Sequence, residues 1–253
     1  MKIETLQLSE PMENVYKPNL FDLASLYTLV TSEKIVSCLE FGSGWSTLVL
    51  AAALDENQKT YGEDFGIRHP NPFRLQTIDC SEKFLELSMS RLEKYNLSNL
   101  VSPVLSKAKM GSFRGLACHF FDNHPPFTAD LIYLDGPDPD QVEGHSNGFS
   151  VAFGDENRKY GLPMSADILT MEYFFWPGSI IVVDGRGANA EFLRRNLTRN
   201  WDYVYSKFLD QHFFLLREAP WGIYSENLLK LRTGRTIDEI VLHCELEAQQ
   251  FSK

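Results

Sequence analysis

Residues 36–54 read VSCLEFGSGWSTLVLAAAL: an apolar run, a glycine turn, then a helical segment. Residues 36–41 suit a strand covered on both faces. Gly42 and Gly44 stand where the chain must turn sharply or let a ligand approach the backbone. Ser46 or Thr47 is placed to cap a helix running to Leu54. The free N–H groups at such a helix start carry partial positive charge toward whatever lies above the turn. Glu40, near the strand end, is the unexpected residue. A carboxylate there repels a phosphate and attracts a hydroxyl or a cationic group.

Outward from this stretch, strand and helix signals alternate. A second strand over 75–78 ends at Asp79, and a third covers 101–105. A fourth, over 129–134, runs into Asp135-Gly136-Pro137-Asp138, and a fifth over 179–183 ends at Asp184. Residues 203–208 and 212–217, separated only by 209–211, predict an antiparallel closing pair. Asn19 caps a helix over 20–31, Ser81 the helix carrying Leu85 and Leu92, and Ser165 one carrying Ile168 and Met171. A further helix covers 188–198. Residues 55–74 and 139–163 read as irregular excursions that shape a ligand pocket. Residues 107–126 show only a short extra segment over 117–121. The expectation is an α/β fold: a doubly wound, mostly parallel seven-stranded sheet with an antiparallel last strand and helices on both faces. It forms a single domain over 1–253, with its core at 20–218 and a helical extension at 220–253. In that extension Thr236 and Glu239 form a capping box for a helix to Gln250. Its apolar face of Ile237, Ile240, Val241 and Cys244 either packs back on the domain or makes a homodimer contact.

The chain has 253 residues, 43% of them hydrophobic, and a net charge of −10. That composition supports a sizeable core. The negative charge argues against a general binder of nucleic acid or anionic membranes, because both need a positive surface. Cys38, Cys80, Cys118 and Cys244 are far apart, so neither a zinc knuckle nor a disulfide framework is indicated. No apolar run approaches the roughly 20 residues of a membrane helix. The opening MKIETLQLSE lacks the apolar centre of a signal peptide. A reducing, cytoplasmic setting is expected.

In parallel sheets, ligands bind at the carboxyl ends of the strands. Glu40, Asp79, Asp135 and Asp184 all fall there. A P-loop is excluded, since no GK[ST] follows Gly44. In place of the third glycine of a dinucleotide fingerprint stands Thr47. The ligand that fits has a ribose, a positive centre and no phosphate: Asp79 can accept the ribose hydroxyls, and Glu40 with the glycine turn can hold an amino-acid moiety.

With LEFGSGWST at 39–47, TID at 77–79, DLIYLDGPD at 130–138 and GSIIVVDG at 178–185, the chain resembles the class I S-adenosylmethionine-dependent methyltransferases, over about residues 20–218. The resemblance implies S-adenosyl-L-methionine as cofactor, held by Glu40, Gly42, Ser43, Gly44, Trp45, Ser46, Asp79 and Asp135. It implies methyl transfer to a small-molecule or sugar-type acceptor at oxygen, with Asp135, Asp184 and His212 as candidate catalytic residues. The chain departs from the family in a longer span from Gly44 to Asp79, and in Ser106-Lys107-Ala108, where an acidic adenine contact often stands. A divalent metal is not favoured, because Gly185 follows Asp184 where metal-dependent relatives carry a second ligand. Arg186 is a candidate for binding an acidic acceptor, and His145 for entering the cleft. The run Tyr173-Phe174-Phe175-Trp176 reads as core and interface in preference to an acceptor platform. No NPPY-like run is present, which leaves the exocyclic-amine methyltransferases of DNA and glutamine unsupported. The competing readings are an NAD-type oxidoreductase and a non-catalytic methyltransferase-like binding or assembly domain.

Overall fold

Asn19 opens the first helix, α1 (Leu20–Ser32), by accepting the Phe21 amide at 3.2 Å. Strand β1 (Ser37–Phe41) follows and is buried along its whole length. A computed structural model describes residues 3–6, 8, 17–62, 69–150 and 164–250. Helix α2 (Trp45–Tyr61) continues past Leu54, so part of the expected excursion over 55–74 is helical. Residues 63–68 lie outside the described residues. Then come β2 (Arg74–Asp79), α3 (Glu82–Lys94), β3 (Val101–Leu105), β4 (Ala108–Phe113), β5 (Leu116–Phe121), β6 (Leu131–Leu134) and β7 (Val142–Glu143). The later elements are α4 (Asp167–Met171), β8 (Ile180–Asp184), α5 (Gly187–Asn196), β9 (Trp201–Ser206), β10 (Gln211–Leu216), α6 (Ile223–Leu231) and α7 (Ile237–Gln250).

The main sheet has seven strands in the order β3-β2-β1-β6-β8-β10-β9. The strands from β3 through β8 are parallel, and β10 runs antiparallel between β8 and β9. The expected architecture is therefore present, including the antiparallel last strand. The order reverses between β1 and β6. Their following loops leave in opposite directions and open a crevice at the carboxyl edge.

Side chains alternate across each strand, and this divides the core. On one face Cys38, Leu131, Tyr133 and Phe213 pack with α1, α2 and α7. On the other, Leu39, Phe41, Ile132 and Phe214 pack with α4, α5 and β5.

Three expectations need correction. Residues 107–126 form a β4–β5 hairpin, part of a second sheet of order β5-β4-β7. Its two-residue turn, Arg114-Gly115, has φ values of 50° and 79°, the left-handed pair that suits the twist of a tight hairpin. Ser165 does not cap α4; its backbone bridges to His119 and its hydroxyl donates to Asp167 at 3.2 Å. Neither Ser46 nor Thr47 is the N-cap of α2; that position is Gly44, and Thr47 serves the helix start from its third position, where its hydroxyl accepts the Gly44 amide. Helix α6 lies within the expected helical extension at 220–253, ahead of the helix that Thr236 opens. Residues 151–163, the rest of the second expected excursion, lie outside the described residues.

Between the two readings of the tail, the structure places the α7 face against this chain's own core. Ile237, Ile240, Val241 and Cys244 are all buried there. The Thr236–Glu239 capping box is formed. Thr233 donates to the Glu33 carboxylate at the end of α1, which also faces Arg235 at 3.7 Å. Truncating Ile240 to Ala removes buried methyl groups and should destabilise the protein by about 2–5 kcal/mol. Leu242→Ala, at a 55% exposed position on the same helix, should stay within about 0.5 kcal/mol. Urea unfolding of the two variants checks this difference.

Candidate active site

The glycine turn after β1 and the loop after β6 meet backbone to backbone. Gly42 has φ +104°, and a Cβ on Gly136 would come within 2.6 Å of Gly42 Cα. Only residues without side chains fit on both sides of that contact. The amides of Asp135 and Gly136 both donate to the Phe41 carbonyl, at 2.9 and 2.7 Å.

Beneath the turn, Glu40 is fully buried. Its carboxylate accepts the Ser46 hydroxyl at 2.6 Å and the Thr47 hydroxyl at 2.7 Å. Thr47 Oγ1 also accepts the Gly44 amide at 3.0 Å. These two hydroxyls are thus spent on tying the strand end to the first turn of α2. Burial raises the Glu40 carboxyl to about 7, against the opposing pull of the hydroxyl donors.

Above the turn lies a cleft of about 380 Å³. Gly42, Ser43, Gly44, Trp45, Ser46, Asp79, Asp135 and Asp184 all line it, whereas Glu40 lies below its floor. Asp79 accepts the Ser43 hydroxyl at 2.7 Å through one oxygen and the Ser81 amide at 2.8 Å through the other. Burial raises its pKa despite these donors. Asp184 accepts Gln211 Nε2 at 3.0 Å, and Gln211 in turn accepts the Ser25 hydroxyl. The surrounding protein, and then Asp184, push Asp135 up to about 8. Its side chain is 50% exposed to the cleft, so solvent screens that effect while the cleft is open.

The structure also separates some candidates from this cleft. His212 is not among its lining residues; its Nδ1 lies 2.9 Å from the Tyr203 hydroxyl and its ring stacks on Tyr203 and Tyr205. Burial lowers its pKa. His145 is exposed on its loop. Arg186 is 8% exposed and donates to the carbonyls of Pro137, at 2.9 Å, and Asp135. It fastens the loop after β6 instead of presenting its guanidinium to solvent. In the aromatic run Phe175 is core, but Tyr173 and Phe174 are each 71% exposed.

Other lining residues carry no motif. Arg91 lays its guanidinium 3.8 Å over the Trp45 ring. Phe84 and Leu87 of α3 supply an apolar wall, and Asp22 projects from α1. Helical spacing marks Phe84 as apolar-facing without showing that its face meets a cleft. Asp22 reads locally as a first-turn acid beside the Asn19 cap. Among the described residues, no group of three His, Cys, Asp or Glu is arranged to hold a metal ion.

No protein-family profile and no curated protein matches the chain. Solved structures share its overall arrangement at low identity. Cofactor-bound Rv0187 from MTB is 16% identical over 83% of this chain and 85% of that one, with a TM-score of 0.46. The O-methyltransferase TomG from Streptomyces achromogenes, solved with SAM, is 18% identical over 82% and 83%, with a TM-score of 0.42. The tRNA (m1A58) methyltransferase TrmI from Aquifex aeolicus is 13% identical over 85% and 74%, with a TM-score of 0.41. A likeness at this level assigns neither substrate nor residue roles.

Gly136→Ala must push the two turns apart and should cost about 1–3 kcal/mol by overpacking, read as a lower urea midpoint. Glu40 predicts a pH signature. Between its ordinary value near 4.5 and its folded value of about 7, the folded state holds a proton that the unfolded state has released. Its contribution to stability therefore falls as pH rises through that window and levels off above it. Unfolding free energies from pH 4.5 to 8 should fall less steeply in Glu40→Gln than in the wild type.

Proposed function

We propose that this protein is an S-adenosylmethionine-dependent methyltransferase acting on a small-molecule acceptor. One observation carries the reading: the glycine turn, braced from below by Glu40, shares a single cleft with the Asp79 carboxylate at the end of β2. The donor set suits a cofactor with a ribose, an amino-acid group and a positive centre. Asp79 accepts donors from Ser43, Cys80 and Ser81, and its carboxylate lines the cleft where a ribose hydroxyl can reach it. The amides at the start of α2 offer partial positive charge to a carboxylate. Trp45, Phe84 and Leu87 offer apolar surface for a base. When bound, the cofactor supplies an electrophilic methyl group.

The chain's own task is then placement, which supplies much of the rate in such a displacement. Asp135 stands in the cleft beside the turn, where it can orient an acceptor or take its proton. Asp184, steadied by Gln211, is positioned one strand away. His212, engaged with Tyr203, is not assigned a step.

The dinucleotide reading has less support. Asp22, Asp79, Asp135, Asp138 and Asp184 line the cleft against Lys17 and Arg91, a poor balance for a pyrophosphate. A cytoplasmic setting is supported by four free cysteines. No helix among the described residues is long and apolar enough to cross a membrane.

S-adenosylhomocysteine should raise the melting temperature. A hundredfold excess over Kd corresponds to about 2.7 kcal/mol of added stability. Asp79→Ala should abolish the rise. A wild-type protein that shows no shift at millimolar ligand would overturn the proposal.

A further inference from the structure

Asp22 belongs to no motif of the chain. It sits in the first turn of α1, yet lines the cleft together with Tyr133, Asp135 and Asp184. It is only 9% exposed, and its Oδ1 has no hydrogen-bond partner among the described residues. A buried carboxyl oxygen without a donor is costly, which suits a group that meets its partner only when a ligand arrives.

The surrounding charges define that partner. Asp22 feels the negative charge of Asp184 at the end of β8 and of Asp210 in the β9–β10 turn, while Asn19 on its own helix bonds to it. Burial first, and then these carboxylates, raise it to about 8. Tyr133 on β6 and Asp135 just after it line the same region, and Lys17 lines the cleft mouth before α1. Arg186, the guanidinium beside Asp135, is occupied by the Asp135 and Pro137 carbonyls and lies 4.0 Å from the Asp135 carboxylate. A protonated amine entering here supplies a donor to the unmet oxygen and draws the surrounding carboxyls, which burial holds toward their neutral form, into ionisation.

We propose that Asp22, Asp135 and Asp184 form a subsite for a protonated amine at the reacting end of the cleft, by which the methyl acceptor is held. The inference rests on the methyltransferase reading and adds the chemical class of the second substrate. An ammonium nitrogen has no lone pair with which to attack. The amine is therefore the handle, and a different atom of the same molecule receives the methyl group.

The test compares ligands of the cofactor cleft that differ at the reacting position. S-adenosylhomocysteine has a neutral thioether there. The analogue in which a carbon bearing a primary amine replaces the methylated sulfur carries an ammonium. Calorimetric titration of the full chain should show the amine analogue binding at least about tenfold more tightly than S-adenosylhomocysteine, a difference of ~1.4 kcal/mol, and also more tightly than S-adenosylmethionine, whose sulfonium carries the charge but has no N–H to donate. Asp22→Asn keeps the side chain's shape and removes its charge, and should shrink that ratio toward one while leaving S-adenosylhomocysteine binding unchanged. Asp135→Asn should shrink it as well, which guards against a folding defect in the first variant.

A ratio near one in the wild type overturns the inference. So does a ratio that survives both substitutions. If Asp22 only caps α1, Asp22→Asn lowers the melting temperature and leaves the ratio intact, which also overturns it. Failure of these ligands to bind the wild type is a different result, because it removes the methyltransferase reading itself.

Discussion

Above the middle of the sheet, two backbone turns press against each other with no side chain between them. The contact of Gly42 with Gly136 arises because β1 hands the chain to one side of the sheet and β6 hands it to the other. The loops must part at that point, and they part from touching distance. The Phe41 carbonyl accepts both amides of the β6 loop, and Arg186 holds the same loop from the far side. Ser43, Asp79, Asp135 and Asp184 take their places relative to this crossing. A bulkier turn on either side would displace the whole carboxyl edge.

The second constraint is electrostatic. Carboxylates crowd the strand ends, and burial acts on each to disfavour its charged form. The protein answers with local donors instead of bases: hydroxyls for Glu40, a hydroxyl and an amide for Asp79, and an amide side chain for Asp184. Neutral donors bring no positive charge to pair with these groups. A lysine in their place would have fixed the carboxyls as ions. A positively charged ligand therefore finds carboxyls that burial holds toward their neutral form and that its own charge can ionise.

Much of this was legible in the chain. The β1 run, the two glycines and the acids at four strand ends have short-range signatures, and the parallel order follows from strand–helix alternation. The features without such a signature lack it for a physical reason in each case. The β4–β5 hairpin turns on Arg114-Gly115, and an arginine at positive φ is not a turn residue that composition advertises. Ser46 and Thr47 looked like caps because capping is the local use of a hydroxyl at a helix start. Their bond to Glu40 depends on a strand end brought underneath. His212 and Arg186 have chemistry-bearing side chains close to strand ends. Only the packing reveals that one is held between tyrosines and the other is turned into backbone carbonyls. Asp22 is the reverse case, an ordinary first-turn acid made notable by what stands opposite it.

The docking of α7 on α1 has a consequence for how the site comes into being. One end of α1 carries Asn19 and Asp22 at the cleft. The other end carries Glu33, which is joined to Thr233 across 200 positions of sequence. The apolar side of α1 is covered by a helix that emerges from the ribosome only after every strand of the main sheet. Contacts of such long separation close late and at an entropic cost. The glycine turn and its acids can assemble around the early strands. The wall that bears Asp22 packs on α2 early and gains the rest of its backing only when residues 237–250 arrive, so this side of the cleft is the last to be secured.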